Sequence, residues 1–344
     1  MAATRREAAY YEVIKEGRIQ CRLCPQLCRI SEEKTGICRT RTTSGARLEL
    51  LNYGEYTSLS VDPIEKKPLY HFHPGRDILS IGGKGCNLKC VFCQNCEISQ
   101  GEPATRHIEP EQLAAEVDRH GDRSIGISFT YNEPFIWFEF IRDTAPLVRK
   151  NGRKVVLITN GFVNPEPLGE LLPLIDAMNV DLKAFDDEFY GKYCGGRMEP
   201  VKNTIGAAVA AGVWVEVTLL LIPTLNDNPD KLCAQAEWLA SISKDIPFHI
   251  SRYHPCHKMD LPPTPFSAMA TAHRIASGHL NYVYLGNVGD SESARTVCPS
   301  CGKPLIERFG YRTRLTGLKG KKCASCGADI AVVRGSEDLN ESEP

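Results

Sequence analysis

The stretch ILSIGGKGCNLKCVFCQNC, residues 78–96, decides how the rest of the chain is read. Its first four residues are apolar apart from one serine and bounded by glycines, the pattern of a short buried strand. A glycine-rich loop follows, in which Cys86, Cys90 and Cys93 are spaced C-x3-C-x2-C and Cys96 comes three residues later. Gly82, Gly83 and Gly85 suit a backbone that wraps closely around a bulky group.

Downstream, strand-like runs recur at 125–129, 155–159, 178–182, 213–222, 248–253 and 282–285. Helix-like runs fill the gaps at 109–120, 133–150, 165–175, 201–211, 229–243 and 265–277, several opened by proline beside an acidic residue or asparagine. Strand and helix alternating six or seven times predicts a parallel sheet with helical crossovers. Near-continuous apolar runs such as VWVEVTLLLI, residues 213–222, predict strands buried on both faces. Six or so units are fewer than the eight of a complete barrel. The cysteine loop then lies beyond the carboxyl end of the first strand, where parallel α/β sheets place their chemistry.

The composition agrees with a folded chain. Of 344 residues, 42% are apolar and 24% charged, enough to bury a core. Lysine plus arginine number 41 against 42 aspartate plus glutamate, so no global field draws the chain to nucleic acid or anionic membrane. No apolar stretch has the length of a membrane span, and the first residues lack the apolar core of a signal peptide, so a cytoplasmic protein without membrane contact is expected. Fifteen cysteines are the outlier. An odd number without a secretory signal argues against a disulfide framework, and close-set thiols in a reducing compartment favour metal.

Twelve of the cysteines form three groups: Cys21, Cys24, Cys28 and Cys38; Cys86, Cys90, Cys93 and Cys96; and Cys298, Cys301, Cys323 and Cys326. They divide the chain into a module at 1–45 with a short helical start, an extended connecting segment at 46–75, the alternating region at 76–290, a ribbon at 291–335 and a disordered tail at 336–344. Four thiolates around residues 21–38 accept either zinc or an iron–sulfur cluster. The last group is two C-x2-C knuckles, each followed by glycine, as in zinc-ribbon or rubredoxin-like sites; zinc is favoured, with iron second. The basic segment between its knuckles reads as a solvated hairpin face or a surface for RNA or a partner. In the middle group, three thiolates on a [4Fe–4S] cluster would leave one iron open to a ligand, whereas a quartet including Cys96 would make a closed zinc site. Cys96 is left unassigned.

GCNLKCVFC resembles the cluster loop of radical S-adenosylmethionine (SAM) enzymes. The resemblance implies that Cys86, Cys90 and Cys93 hold a [4Fe–4S] cluster and that Phe92 packs near adenine. It extends to ISFTYNEPF, where Asn132 and Glu133 stand in a Gly-Gly-Glu-Pro type segment that meets the SAM amino group, with Tyr131-Asn132 in place of Gly-Gly. Glu133-Pro134 is also an ordinary helix start. LITNGF, with Thr159 and Asn160, is similar to the Thr-Asn-Gly turn of activating enzymes for glycyl radical proteins; Ile158 stands where some of these carry aspartate, so no matching cation site is expected. NVDLKAFD places Asp181 and Lys183 against SAM or substrate, or leaves them as a solvated strand end. His254, Cys256 and His257, beyond a later strand, are candidates for the substrate pocket.

Taken together, CxLCPxxC…GxC, the 71–95 core, TYNEP and the final CPxCG…CxxCG resemble the AmmeMemoRadiSam-system radical SAM enzymes, relatives of pyruvate formate-lyase activating enzymes, over roughly residues 20–335. The resemblance implies a partial (β/α)6-type radical SAM barrel with small Cys-rich N-terminal and C-terminal metal-binding modules. It implies reductive cleavage of SAM to a 5′-deoxyadenosyl radical, hydrogen abstraction from an unassigned substrate, a low-potential one-electron donor, and association with AMMECR-like and Memo-like proteins. Three other readings are a glycyl-radical-enzyme activase, an RNA-modifying radical SAM enzyme and a non-catalytic zinc scaffold.

Overall fold

The apolar runs become neighbouring strands of one sheet. The computed structural model describes residues 5–14, 18–289 and 292–335; the expected disordered tail at 336–344 lies outside them. The main sheet comprises β1 (Ser58–Pro63), β2 (Asp77–Gly82), β3 (Ser124–Phe129), β4 (Lys154–Thr159), β5 (Ala177–Asp181), β6 (Trp214–Leu221), β7 (Phe248–Arg252) and β8 (Val283–Gly286), ordered in space as in sequence. Strands β2 to β8 are all parallel to their neighbours. Only β1 is antiparallel, paired with β2 from Ser58 opposite Gly82 to Pro63 opposite Asp77. The sheet is open, with β1 and β8 at its edges. Six crossovers connect the parallel strands, which is the partial barrel expected.

The helices between them are α1 (Pro110–Arg119), α2 (Phe138–Lys150), α3 (Pro165–Leu171), α4 (Glu199–Ala210), α5 (Pro229–Ile242) and α6 (Phe266–Ser277). Their starts follow local chemistry. Glu109 and Gln112 form a capping box around Pro110. Asn228 Oδ1 accepts from the backbone N–H groups of Asp230 and Lys231 at 3.0 and 3.1 Å. Helix α2 turns Phe138, Phe140, Ile141, Ala145 and Val148 inward, a stripe at helical spacing. No helix among the described residues is long and apolar enough to cross a membrane.

Among the described residues the short helical start is not found. Tyr11–Val13 is instead a strand, paired antiparallel with Ile19–Cys21. A helix this short is marginal in water, and pairing the β-prone Tyr11 and Val13 satisfies backbone groups at once. The N-terminal segment is then anchored over a long separation. Arg41, 0% exposed, donates through Nη2 to Glu139 Oε1 and Oε2 at 2.7 and 2.8 Å, and through Nη1 to the Ala9 carbonyl at 2.8 Å.

Glu216, the one acid inside β6, is also 0% exposed. It accepts from the backbone N–H groups of Tyr70 and His71 at 2.8 Å each, from Trp214 Nε1 at 3.1 Å and from His249 Nε2 at 2.7 Å. This carboxylate docks the Pro68–Pro74 stretch onto the sheet. His71 carries the connection to the C-terminal ribbon: Nδ1 lies 2.5 Å from the Ala331 carbonyl and Nε2 2.5 Å from the Tyr284 hydroxyl. The carbonyl can only accept, so Nδ1 is the donor and Nε2 of the neutral ring accepts a hydrogen bond from the Tyr284 hydroxyl.

Burial pushes the His71 pKa down to about 4. Between its ordinary value near 6.5 and about 4, the unfolded chain binds a proton that the folded chain refuses. Stability due to this ring is therefore present above pH 6.5 and lost on acidification, by about 3 kcal/mol in all. Urea unfolding between pH 7 and 4 is expected to show that slope, and His71→Asn to flatten it. Equal slopes in both proteins would refute the assignment.

The ribbon packs on β8 through Tyr282 and Tyr284, with Leu305, Ile306, Ile330 and Val332. Not all of its basic residues are solvated. Arg308 is wholly buried, donating to the carbonyls of Ala294 at 2.9 Å and Tyr70 at 2.6 Å.

Candidate active site

The carboxyl ends of the parallel strands surround a cavity of about 470 Å³, within the usual range for small-ligand sites. Cys86, Cys90 and Cys93 line it, and so do Phe92, Asn132, Glu133, Thr159, Asn160, Asp181 and Lys183. All ten residues expected at the central site therefore share one space. The remaining lining includes Thr218 and Leu220 of β6 and Ser251 of β7, every second residue along β6 facing inward. Cys96 opens a five-residue helix, Cys96–Gln100, and is not part of the lining.

The loop is held from several sides. Asn132 accepts from the Gly83 N–H at 3.0 Å and donates to the Gly85 carbonyl at 3.0 Å. Asn160 donates to Asn87 Oδ1 at 2.9 Å and points the same amide at Cys86 Sγ, 3.6 Å away. Tyr131, standing in place of a glycine, keeps a glycine-like backbone with φ of 72°. Three bonds hold it there. Its hydroxyl donates to Asp62 and lies 3.2 Å from Ser60 Oγ, and its carbonyl accepts from Asn95 Nδ2 at 2.7 Å. Burial alone would raise Asp62, but Lys66, Lys67 and Tyr131 hold its carboxyl well below the usual range.

Glu133 is buried, and both its oxygens are engaged. Oε1 accepts from Thr159 Oγ1 at 2.7 Å and the Phe135 N–H at 2.9 Å, and Oε2 from the Asn160 N–H at 2.8 Å. It caps the helical turn Pro134–Trp137 and ties the end of β3 to the end of β4. Burial raises its pKa to about 7. Asp181 and Lys183 form an ion pair of 2.8 Å at the end of β5, in the cavity wall.

The three thiols differ in environment. Burial pushes Cys86 up, and Cys93, 3.2 Å from Ser99 Oγ, is also raised by burial. Cys90 is lowered, first by a bond from Cys194 and then, against burial, by the charge of Lys183. Cys194 is fully buried, and nothing in its local sequence signals its place beside Cys90. His254 and His257 are exposed and do not line the cavity, so they are not pocket residues. Their segment covers the loop from outside, with Cys256 Sγ 3.5 Å from the Cys93 carbonyl and the Lys258 N–H donating to the Val91 carbonyl at 2.9 Å.

Gly85 is where the N-terminal segment presses on this loop. It has φ of 84°, and a Cβ there would stand 2.4 Å from the Cys38 carbonyl and 2.7 Å from Thr40 Cγ2. Gly85→Ala is expected to cost at least about 2 kcal/mol from the left-handed backbone and the backbone clash together. Thermal unfolding measures the loss, and an unchanged midpoint would refute the contact.

The profile of the radical SAM superfamily matches residues 80–235. Over 336 residues the chain is 41% identical to an uncharacterised protein of Methanocaldococcus jannaschii, covering 95% of this chain and 99% of that protein. The chain belongs to the radical SAM superfamily. The pyruvate formate-lyase-activating enzyme of Clostridium pasteurianum is 25% identical over 177 residues, 50% of this chain and 73% of that enzyme. The crystal structure of a domain of pyruvate-formate lyase-activating enzyme from Bacteroides vulgatus aligns with a TM-score of 0.42 and 21% identity, over 47% of this chain and 99% of that one. Radical SAM membership implies a [4Fe–4S] cluster and SAM. The donor set fits: three thiols on one loop face a cavity with space beyond them, and Cys96 is outside it.

The C-terminal quartet is different. The sulfurs of Cys298, Cys301, Cys323 and Cys326 all lie within 4.8 Å of one another. Two pairs, Cys298–Cys326 and Cys301–Cys323, are 3.7 Å apart. Thiolates bound at about 2.3 Å to the corners of a tetrahedron around one zinc ion are about 3.7 Å apart, so this cage fits a single ion.

Proposed function

We propose that this radical SAM protein reductively cleaves SAM at a cluster held by Cys86, Cys90 and Cys93 and abstracts hydrogen from a substrate in the same cavity. The observation that carries the reading is the convergence of those three thiols, with no fourth among the described residues, on a space of about 470 Å³ at the strand ends. When bound, the cluster supplies the electron that splits SAM into methionine and a 5′-deoxyadenosyl radical.

The chain's own residues orient and enclose. Phe92, buried beside Phe189 with ring centroids 5.8 Å apart, offers a flat apolar wall for adenine. Asn132, Thr159 and Asn160 hold the loop and strand ends in place. Glu133 organises those ends, since its oxygens are already engaged. Asp181 and Lys183 present one charge of each sign to SAM or substrate. Buried strand ends on several sides keep water from the reacting atoms.

The motifs at both ends of the chain support a reading as an AmmeMemoRadiSam-system enzyme, working with AMMECR-like and Memo-like proteins and a low-potential one-electron donor in a cytoplasmic setting. The C-terminal quartet is assigned zinc. The similarity to the C. pasteurianum enzyme over half of the chain supports a second reading, an activase that forms a glycyl radical on a protein partner. That reading predicts a partner-dependent glycyl signal in electron paramagnetic resonance.

Anaerobic reconstitution followed by dithionite and SAM tests the main reading. 5′-Deoxyadenosine well above the dithionite-free control is expected. None above background refutes it.

A further inference from the structure

Three cysteines fall outside the three groups: Cys194, Cys233 and Cys256. Cys194 and Cys256 pack against the central loop, where the Lys89 N–H donates to the Cys194 carbonyl at 2.8 Å and Cys256 Sγ lies 3.5 Å from the Cys93 carbonyl. The N-terminal quartet comes together around a small buried cavity of about 10 Å³. Cys233 stands apart from all of these, on helix α5.

Cys233 and Glu237 are four residues apart on that helix and so share one of its faces. His279 comes from the turn between α6 and β8 and reaches the same face. Its backbone is fixed there: the His279 N–H donates to the Ala276 carbonyl at 3.0 Å, Leu280 is buried, and the Asn281 N–H donates to the Lys244 carbonyl at 2.9 Å. Cys233 and His279 are half-buried and Glu237 is exposed. Cys233 Sγ lies 3.4 Å from His279 Nε2 and 3.7 Å from Glu237 Oε1, and the three ligating atoms are all within 4.8 Å of one another.

Those spacings match the edges of a coordination tetrahedron. With zinc bonds of about 2.3 Å to sulfur, 2.0–2.1 Å to nitrogen and 2.0–2.2 Å to oxygen, tetrahedral ligands stand about 3.5–3.6 Å apart for sulfur and nitrogen and about 3.5–3.7 Å for sulfur and oxygen. Hydrogen bonding alone serves the cluster less well, because one S–H cannot donate to both neighbours at once. A cation shares all three lone pairs. A thiolate and a carboxylate also neutralise a dication, with the imidazole as the neutral third ligand, and zinc accepts all three donor types.

We infer that Cys233, Glu237 and His279 bind a zinc ion, with water in the fourth position on the exposed side. Binding releases the Cys233 thiol proton to solvent. The ion pins helix α5 to the turn that leads into β8, two separate elements of the barrel wall. Among the described residues none of the three lines the central cavity, so the site stands whether or not the central cysteines support SAM cleavage.

The test counts zinc in the full chain, purified anaerobically, equilibrated with zinc chloride and desalted. Cys233→Ala and His279→Ala are each expected to hold about one zinc per chain fewer than the parent, a difference that does not depend on what the other cysteine groups bind. Glu237→Gln is expected to weaken zinc binding at least about 10-fold in competition with a chromophoric chelator, since even outer-shell substitutions act on that scale. Iodoacetamide labelling, read peptide by peptide in a mass spectrometer, follows the thiol itself. Zinc should protect Cys233 in the parent and leave it reactive in His279→Ala. A parent-like zinc count or affinity in any one of the three variants overturns the triad, and so does equal labelling of Cys233 in the parent with and without zinc. Should a variant be insoluble, labelling of the parent decides: protection of Cys233 by zinc supports the site, and none refutes it.

Discussion

Cys93→Ala is expected to abolish SAM cleavage, with 5′-deoxyadenosine falling at least about 100-fold, the scale on which even outer-shell partners of metal sites act. Cys93 contributes one of the three thiols that line the cavity among the described residues. Its sulfur is 3.2 Å from Ser99 Oγ, and this hydroxyl is not a thiolate substitute for soft iron. Iron and sulfide should fall by about four per chain in the same preparation. Cys96→Ala is the control. Cys96 begins the helix Cys96–Gln100 outside the cavity lining, so cleavage should stay within about threefold of the parent, as for a substitution away from any site. If both variants lost activity alike, a four-thiol site including Cys96 would be the better description.

Glu139→Ala is expected to destabilise the fold by about 3–5 kcal/mol, because it strands a buried guanidinium. Arg41 would lose its 2.7 and 2.8 Å bonds to the carboxylate, and the Ala9 N–H its 2.8 Å bond to Oε1. Arg41 Nε already lacks a hydrogen-bond partner among the described residues, so the remaining group has little local compensation. The lowering of the thermal midpoint should be on the order of 10 °C. The double substitution Arg41→Met with Glu139→Met should recover most of that loss, since an apolar pair of similar volume avoids desolvation of both charges. A single variant as stable as the parent would show that Arg41 reaches solvent.

Local patterns made much of the barrel legible. The run read at 155–159 is Lys154–Thr159, and that at 248–253 is Phe248–Arg252. Parallel strands buried on both faces must be short apolar runs, and the helices between them announce their starts with proline and a capping side chain. Strand β1 was less visible: SLSVDP has polar residues at alternate positions, and only pairing with β2 makes it part of the main sheet. The helical start failed for a related reason, since the pairing of Tyr11–Val13 with Ile19–Cys21 decided its conformation.

The candidate site was legible by residue type more than by role. Glu133 reads in the sequence either as a helix start or as a SAM-site residue; it caps the turn Pro134–Trp137 and lines the cavity. That its two oxygens are occupied by Thr159, Asn160 and Phe135 depends on β3 and β4 lying side by side. Tyr131 in a glycine-like backbone depends on Asp62, 69 residues earlier. The separation of Arg41 from Glu139 is 98 residues, and Glu216 gave no local sign that it would receive Tyr70, His71, Trp214 and His249.

Periodicity and spacing along the chain determined the alternating fold and which thiols belong together, because both are properties of neighbouring residues. The tertiary structure decided what each set of thiols can hold. One quartet closes to single-ion spacing, another borders a small buried cavity, and three sulfurs of the central group face a shared cavity while Cys96 stays outside. Those distances are set by how separate segments pack, and ligand spacing in sequence does not specify them.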